Sequence, residues 1–310
     1  MKVIFMGTPD FAAGILESIV RAGHEVLLAV TQCDKPKGRG KAMQYPPVKE
    51  KALEYGIPVY QPEKIKKEEC VEELNKYEPD IIIVAAYGQI LPKSILEMAK
   101  YGCVNVHASL LPKYRGAAPI QWAIIDGEQQ TGVTTMMMDV GLDTGDMIDK
   151  ALVDILPEET GGSLFDKLMG AGQTLILETM EKLEQGRAVL TKQDDSQSSY
   201  AKMLTKELGK IDFSQPAIQI ERLVRGLNPW PSAYTSFRGK NLKIWKSFVI
   251  EKEMEGAYGE IVEVTKDYFA VKTGEYLLGI SELQMEGKKR MDTRAFLAGV
   301  KVETGEKLEF

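Results

Sequence analysis

Residues 79–86 read PDIIIVAA, and this stretch decides the fold class. From Ile81 to Ala86 every side chain is apolar, with no polar position on alternate residues. A strand with one wet face alternates. A short run that does not alternate suits a strand covered on both faces, as in a parallel sheet flanked by helices. The neighbouring segments agree. KVIFMG (2–7) is a second short apolar run, and TPDFAAGILESIVRAG (8–23) follows with helical spacing and Thr8 and Asp10 as candidate caps. HEVLLAV (24–30) reads as a strand, a long polar loop follows, and residues 48–56 and 68–77 have helical patterns. Strands alternating with helices predict βαβ units: an α/β fold with a doubly wound, Rossmann-like parallel sheet.

Further along, YGCVNVHA (101–108) is another apolar strand, and TGVTTMMMDV (131–140) and GDMIDKALVDI (145–155) read as two consecutive strands. Residues 161–185 form a long helical pattern. KQDDSQSSYAKM (192–203) is polar and reads as a linker. Beyond it a helical PAIQIERLVRGL precedes short β-rich runs, NLKIWKSFVI, YGEIVEVTKDYFAVKT and EYLLGISELQME, with a helix-like DTRAFLAG near the end. Short strands at close spacing predict a small C-terminal β-barrel of the oligonucleotide-binding type. The expected organisation is a catalytic domain over 1–190, a linker over 191–205 and the barrel over 206–310.

Composition bounds the function. The 310 residues carry a net charge of −6, with 39 Lys and Arg against 45 Asp and Glu, which taken alone argues against nucleic acid as a partner. The charge is uneven: residues 206–310 hold 17 basic and 16 acidic side chains, so that part is +1 and the remainder −7. Three scattered cysteines, Cys33, Cys70 and Cys103, with no CxxC pair, suggest neither a disulfide framework nor a metal site and point to the reducing cytoplasm. The first residues reach Pro9 and Asp10 too soon for a signal peptide, and no run nears the ~20 apolar residues of a membrane span.

Four stretches are candidates for chemistry. FMGTPD places Gly7 after the first strand but lacks the G-x-G-x-x-G of a dinucleotide site, so a tight turn is preferred to NAD binding. CDKPKGRGKAM sets Lys35, Lys37, Arg39 and Lys41 in a flexible loop, which suits a phosphate backbone, although a charge run is ordinarily a solvated surface. NVHASLLPKYRG (105–116) holds His107, one of two histidines, at the C-terminal end of a strand, the edge where ligands bind in open α/β sheets. Asn105, two residues earlier, shares its face in a regular strand. Asn can donate to a developing oxyanion and His can move a proton near neutral pH. Gly116 allows a backbone conformation closed to other residues. DVGLDTGD (139–146) places Asp143 and Asp146 in a turn between strands, and a carboxylate is the usual orienting partner of a catalytic imidazole. Because no Ser or Cys is placed as a nucleophile, the substrate is expected to bring its own.

Taken together, Asn105-x-His107, Ser109-Leu-Leu-Pro112 and Asp143 in DxGxDTGD resemble the folate-dependent formyltransferases, over the whole length of the chain. MGTPDFA, KPKGRGK, YRGAAPIQWAI and RGLNPWPSA are similar to those members whose acceptor is methionyl-initiator tRNA. The resemblance implies transfer of the formyl group of 10-formyltetrahydrofolate to the amino group of methionine on that tRNA. Asn105 and His107 would stabilise the oxyanion of a tetrahedral intermediate, while Asp143 would hold His107 and assist proton movement. Folate would lie against Ser109, Leu110, Leu111 and Pro112, the loop with Tyr87, Gln89, Ile90 and Leu91, and the turn at Asp139. The tRNA would meet Lys35, Lys37, Arg39 and Lys41, with Arg39 foremost, and Arg225 in the barrel domain, where Lys206, Lys210, Lys243, Lys246 and Lys288-Lys289-Arg290 are further candidates. A monomer without metal is expected. The rivals are a formyltransferase acting on a small amine, such as a glycinamide nucleotide or an amino sugar, a hydrolase of the same folate, an NAD-dependent oxidoreductase and a non-catalytic RNA-binding protein.

Overall fold

The structure is a computed structural model that describes residues 1–37 and 42–309; the side chains of residues 37 and 42 fall outside that description. The chain divides into two compact units. The first comprises Met1–Gly116, Gln130–Asp154 and Phe165–Ala201. Its sheet has seven strands: β1 (Lys2–Gly7), β2 (Glu25–Val30), β3 (Val59–Tyr60), β4 (Ile81–Ala85), β5 (Cys103–His107), β6 (Gln130–Met137) and β7 (Met147–Asp154). They lie in the order β7-β6-β5-β4-β1-β2-β3. β1 to β5 are mutually parallel, whereas β6 runs antiparallel to β5 and β7 antiparallel to β6. The expected parallel sheet is therefore extended at one edge by an antiparallel hairpin. That hairpin carries the Asp143 turn.

Physical causes are visible strand by strand. All five side chains of β4 are buried, as the unbroken apolar run required. The strand order reverses between β1 and β4, and this switch point opens a crevice at the C-terminal ends of both strands. The helix Asp10–Arg21 starts at Pro9 with no side-chain cap. Thr8, expected as a cap, instead donates its hydroxyl to the carbonyl of Tyr87 at 3.1 Å, across that switch point. Gly7 is a glycine for packing: a Cβ there would lie 2.5 Å from Cβ of Ala12 and 2.8 Å from the carbonyl oxygen of Ala85. The tight-turn reading of FMGTPD fits this. The polar loop after β2 contains a short hairpin, Lys35–Lys37 against Ala42–Gln44, that its composition did not announce.

The second unit comprises Ala117–Gln129, Ile155–Leu164 and the chain from Lys202 onward. It is built on an antiparallel sheet of β8 (Ala233–Phe237), β9 (Lys240–Ile250), β10 (Ile261–Val264), β11 (Phe269–Lys272), β12 (Leu277–Met285) and β13 (Leu308–Glu309), ordered β10-β11-β12-β9-β8-β13. The two ends of that order meet. Ile261 N–H donates to Glu306 O and Leu308 N–H to Gly259 O, each at 2.8 Å, so the sheet closes on itself as a small barrel. Phe213, Phe237, Ile244, Phe269 and Leu283 fill it, beneath the helix Ala217–Gly226. Burying each such side chain contributes about 1.5–3 kcal/mol. Among the described residues no helix is long and apolar enough to cross a membrane.

Candidate active site

β5 sets the site. Its alternate residues share a face, and Asn105 and His107 are 8% and 7% exposed at the C-terminal end of the strand. Val84 of β4 and Met136 of β6 flank Asn105. Among the described residues the Asn105 amide makes no hydrogen bond. The amide keeps some contact with solvent at the end of the strand and is free to donate to a ligand oxygen placed there.

His107 is fixed by the loop that follows it. Its Nε2 lies 2.9 Å from the carbonyl oxygen of Tyr114. A carbonyl only accepts, so Nε2 carries a proton and donates it. The other ring nitrogen, Nδ1, faces Oδ2 of Asp143 at 3.7 Å, beyond a direct hydrogen bond. The resemblance gives the orienting role to Asp143; here the ring is anchored by Tyr114, and Asp143 guards the free nitrogen. Asp143 in turn accepts the backbone N–H of Gly116 at 2.8 Å. Because β6 runs antiparallel to β5, it ends beside the start of β5, and the loop after it must turn back along the sheet for Asp143 to reach His107.

Three residues around the imidazole hold left-handed backbone: Tyr114 (φ 60°), Gly116 (φ 108°) and Asp143 (φ 53°). Such strain collects at functional sites, where the surroundings enforce it. At Gly116 no other residue fits, since a Cβ would lie 2.5 Å from Cε2 of Tyr200 and 2.8 Å from the carbonyl of Ala201. The reason is the two-residue pairing of Arg115–Gly116 with Tyr200–Ala201.

The segment after His107 is tied to the β6–β7 hairpin. Ser109 is wholly buried, and its hydroxyl donates to Lys113 O at 2.7 Å. Thr134 Oγ1 donates to Ser109 O at 2.7 Å and accepts from Leu111 N–H at 3.1 Å, while Lys150 Nζ donates to Leu111 O at 2.6 Å. Ser109 and Leu111 are therefore scaffold, and the Leu111–Pro112 peptide is cis. Asp139 accepts from Gly141 N–H at 2.9 Å and from the Thr144 hydroxyl at 2.7 Å, which shapes the turn. In the loop after β4, Tyr87 and Leu91 belong to the core of the first unit. Burial pushes the Tyr87 phenol up. Gln89 accepts from Ile65 N–H at 2.8 Å and donates to Pro62 O at 3.2 Å. Of the four residues named there, Ile90 alone is presented to solvent, 81% exposed, and Val140 and Leu142 of the 139–146 turn are exposed as well. Cys103, at the start of β5, has its thiol pushed up to about 12 by burial and is no nucleophile at neutral pH. Among the described residues no group of three His, Cys, Asp or Glu could hold a metal ion.

Of the basic loop, Lys35 is exposed at the root of the hairpin. The Lys37 side chain, Arg39 and Lys41 lie outside the described residues. The root is anchored at Asp34, which takes Lys49 Nζ and Gln61 Nε2, each at 2.7 Å. Those two bonds, the Gln61 amide first, hold its carboxyl below the ordinary range. Arg225 is engaged: its Nε pairs with Glu221 and its Nη1 donates to Glu159 O at 3.0 Å. A cavity of about 620 Å³ in the second unit includes Arg225, Arg222, Trp245 and Arg290 in its lining, and none of Asn105, His107 and Asp143. Composition gave no sign of Gln193, within the linker. It is buried, accepts from both Nε (3.1 Å) and Nη2 (2.8 Å) of Arg115, and donates to the carbonyls of Asp143 and Gly145 at 2.8 Å each.

His107, buried, and Asp143, half-buried, face one another beside the Asn105 amide, an arrangement that suits the transfer of an acyl group to an amine. Residues 1–180 match the formyl transferase family and residues 203–301 its C-terminal domain. The chain belongs to that family and is a formyltransferase enzyme. Methionyl-tRNA formyltransferase of Agathobacter rectalis is 59% identical to it over 305 residues, covering 98% of each chain. The protein of that name from Lachnospira eligens is 53% identical over 310 residues, again covering 98% of each. An N-formyltransferase from Helicobacter canadensis, solved with folinic acid and dTDP-3-aminofucose, shares the fold at a TM-score of 0.68 and 21% identity, over 90% of this chain and 99% of that one.

Proposed function

We propose that the chain transfers the formyl group of 10-formyltetrahydrofolate to the α-amino group of methionyl-initiator tRNA, in the cytoplasm and as a monomer. The observation that carries the chemistry is the unpaired Asn105 amide on the same strand face as His107, whose Nδ1 is left to Asp143. The acceptor rests on the near full-length relatives named for it. The formyl donor fits a site that offers the unpaired Asn105 amide and exposed apolar groups at Ile90, Val140 and Leu142.

In this reading the amine lone pair attacks the formyl carbon and the carbonyl oxygen gains negative charge. Asn105 Nδ2 donates to that oxygen, and preorganisation makes the bond stronger in the transition state than in water. With Nε2–H committed to Tyr114, His107 acts through Nδ1, as imidazolium donor to the oxyanion. The Asp143 carboxylate stabilises that cation and receives the amine proton, which leaves with N10 as the carbon–nitrogen bond breaks. The first unit serves as the catalytic domain and the barrel unit supports the tRNA; residues 117–129 and 155–164, expected within a catalytic domain over 1–190, belong to the barrel unit, and 191–201 of the expected linker to the first. Lys35, Lys37, Arg39 and Lys41 enter the acceptor end of the tRNA.

The test measures formyl transfer from 10-formyltetrahydrofolate to methionyl-initiator tRNA and to small amines, with Asn105→Ala and Arg39→Ala beside the wild type. The expected result is a kcat loss for the first and a tRNA-dependent kcat/KM loss for the second. Transfer to an amino sugar or glycinamide nucleotide, with the tRNA left unformylated, would overturn the acceptor. Absence of any folate turnover would overturn the whole reading.

A further inference from the structure

We infer that Gln193 is a positioning residue for Asp143, through which the segment preceding the barrel domain sets the geometry of the proton-transfer pair. The inference rests on the catalytic reading of Asp143. Gln193 is 7% exposed, and every polar atom of its amide is used. Its Nε2 donates to Asp143 O and Gly145 O, at 2.8 Å each, so both of its protons are spent on the turn that carries the carboxylate. Its Oε1 accepts the fork of Arg115, at 3.1 and 2.8 Å. Arg115 immediately precedes Gly116, whose N–H holds the Asp143 carboxylate, and its Nη2 also reaches Asp195 at 2.7 Å. One amide thus ties the main chain of the Asp143 turn to the guanidinium of Arg115, the residue before Gly116.

The clamp has a purpose that packing does not supply. Asp143 holds φ at 53°, a left-handed conformation that a non-glycine residue keeps only where its surroundings enforce it. Two charge-free donors aimed at the carbonyls of 143 and 145 are that enforcement. Released, the turn would relax toward ordinary backbone, and Oδ2 would leave its place 3.7 Å from His107 Nδ1. Displacement of a catalytic group by about 1 Å lowers rates by about a hundredfold.

Gln193→Glu separates this role from simple attachment. Glutamate keeps the size and improves the acceptor for Arg115, but it replaces the two donors with an acceptor facing two carbonyls. If Gln193 merely ties the segment down, Gln193→Glu keeps wild-type kcat and Gln193→Leu, which cannot hold Arg115, loses stability. If it positions Asp143, both variants lose kcat by about 10- to 100-fold, with the KM values of both substrates within about threefold. The same change made in an Asp143→Asn background then adds little, because residues acting through one another are not additive. Gln193→Glu with kcat within threefold of wild type, in an enzyme that Asp143→Asn does inactivate, overturns the inference and leaves the catalytic reading standing. An active Asp143→Asn enzyme overturns that reading itself. A full additive loss in the double variant also overturns the inference, by showing that Gln193 acts elsewhere.

Discussion

Replacing Asn105 by alanine separates a residue kept for catalysis from one kept for folding. The side chain makes no hydrogen bond among the described residues and is 8% exposed. Its removal therefore breaks no internal bond. What is lost is the packing of three side-chain atoms at the end of the strand, where the amide keeps some contact with solvent. Net stability should change by less than about 1 kcal/mol, or about 2–4 °C in Tm. The catalytic consequence is far larger. Loss of one preorganised oxyanion donor costs about 2.7–4 kcal/mol, a kcat lower by about 10² to 10³. The assay pairs thermal unfolding with single-turnover formyl transfer at saturating donor and acceptor. A kcat within about fivefold of wild type would refute the oxyanion role. So would a Tm that collapses in step with activity, which would return Asn105 to the scaffold.

Other perturbations probe other parts of the argument. Gly116→Ala should lower Tm by roughly 3–10 °C, from about 1–3 kcal/mol of strain at φ 108° and the clash with Tyr200; an unchanged Tm in calorimetry would mean the Tyr200–Ala201 pairing is dispensable. Raising salt from 50 to 200 mM should raise KM for methionyl-initiator tRNA roughly tenfold if two or three phosphates are neutralised, and leave KM for the folate nearly constant. A flat salt response would exclude the basic loop as a phosphate contact. Iodoacetamide at pH 8 should modify Cys33, which is partly exposed, before the buried Cys70 and Cys103. Prompt loss of the Cys103 thiol in mass spectrometry of the native protein would contradict its burial in β5.

The sequence made the sheet legible because burial on two faces leaves a local mark. Ile81–Ala85 could be read as a covered strand from its own side chains, and Cys103–His107 likewise, so the edge carrying His107 followed from topology. The hairpin Lys35–Lys37 with Ala42–Gln44 escaped, because its strands are three residues each and Lys35, Pro36, Met43 and Gln44 are all exposed, so burial left no pattern to read. The caps expected at Thr8 and Asp10 failed for a different reason: the Thr8 hydroxyl found a stronger claim in a carbonyl 79 residues away. No window along the chain contains that competition.

Site residues divide along the same line. Side-chain chemistry can be read by type, so Asn105, His107 and Asp143 could be named at once. Main-chain contributions cannot. The group that anchors His107 is the carbonyl of Tyr114, which every residue possesses, and only its placement at φ 60° makes it available. Gln193 was hidden twice, by a residue type of low chemical profile and by a polar stretch whose composition signals a linker. Yet a linker need only be soluble, and a buried glutamine with both amide protons spent on one turn is under a stricter constraint than solubility. Within 192–199 the polarity of Gln193 and Ser199 is explained by their bonds to Arg115, Asp143 and Tyr114, while the remaining residues are exposed to water. For Asp143, which stands on a loop while Asn105 and His107 stand on β5, rigidity must come from such cross-links, and they fall where composition looks least informative.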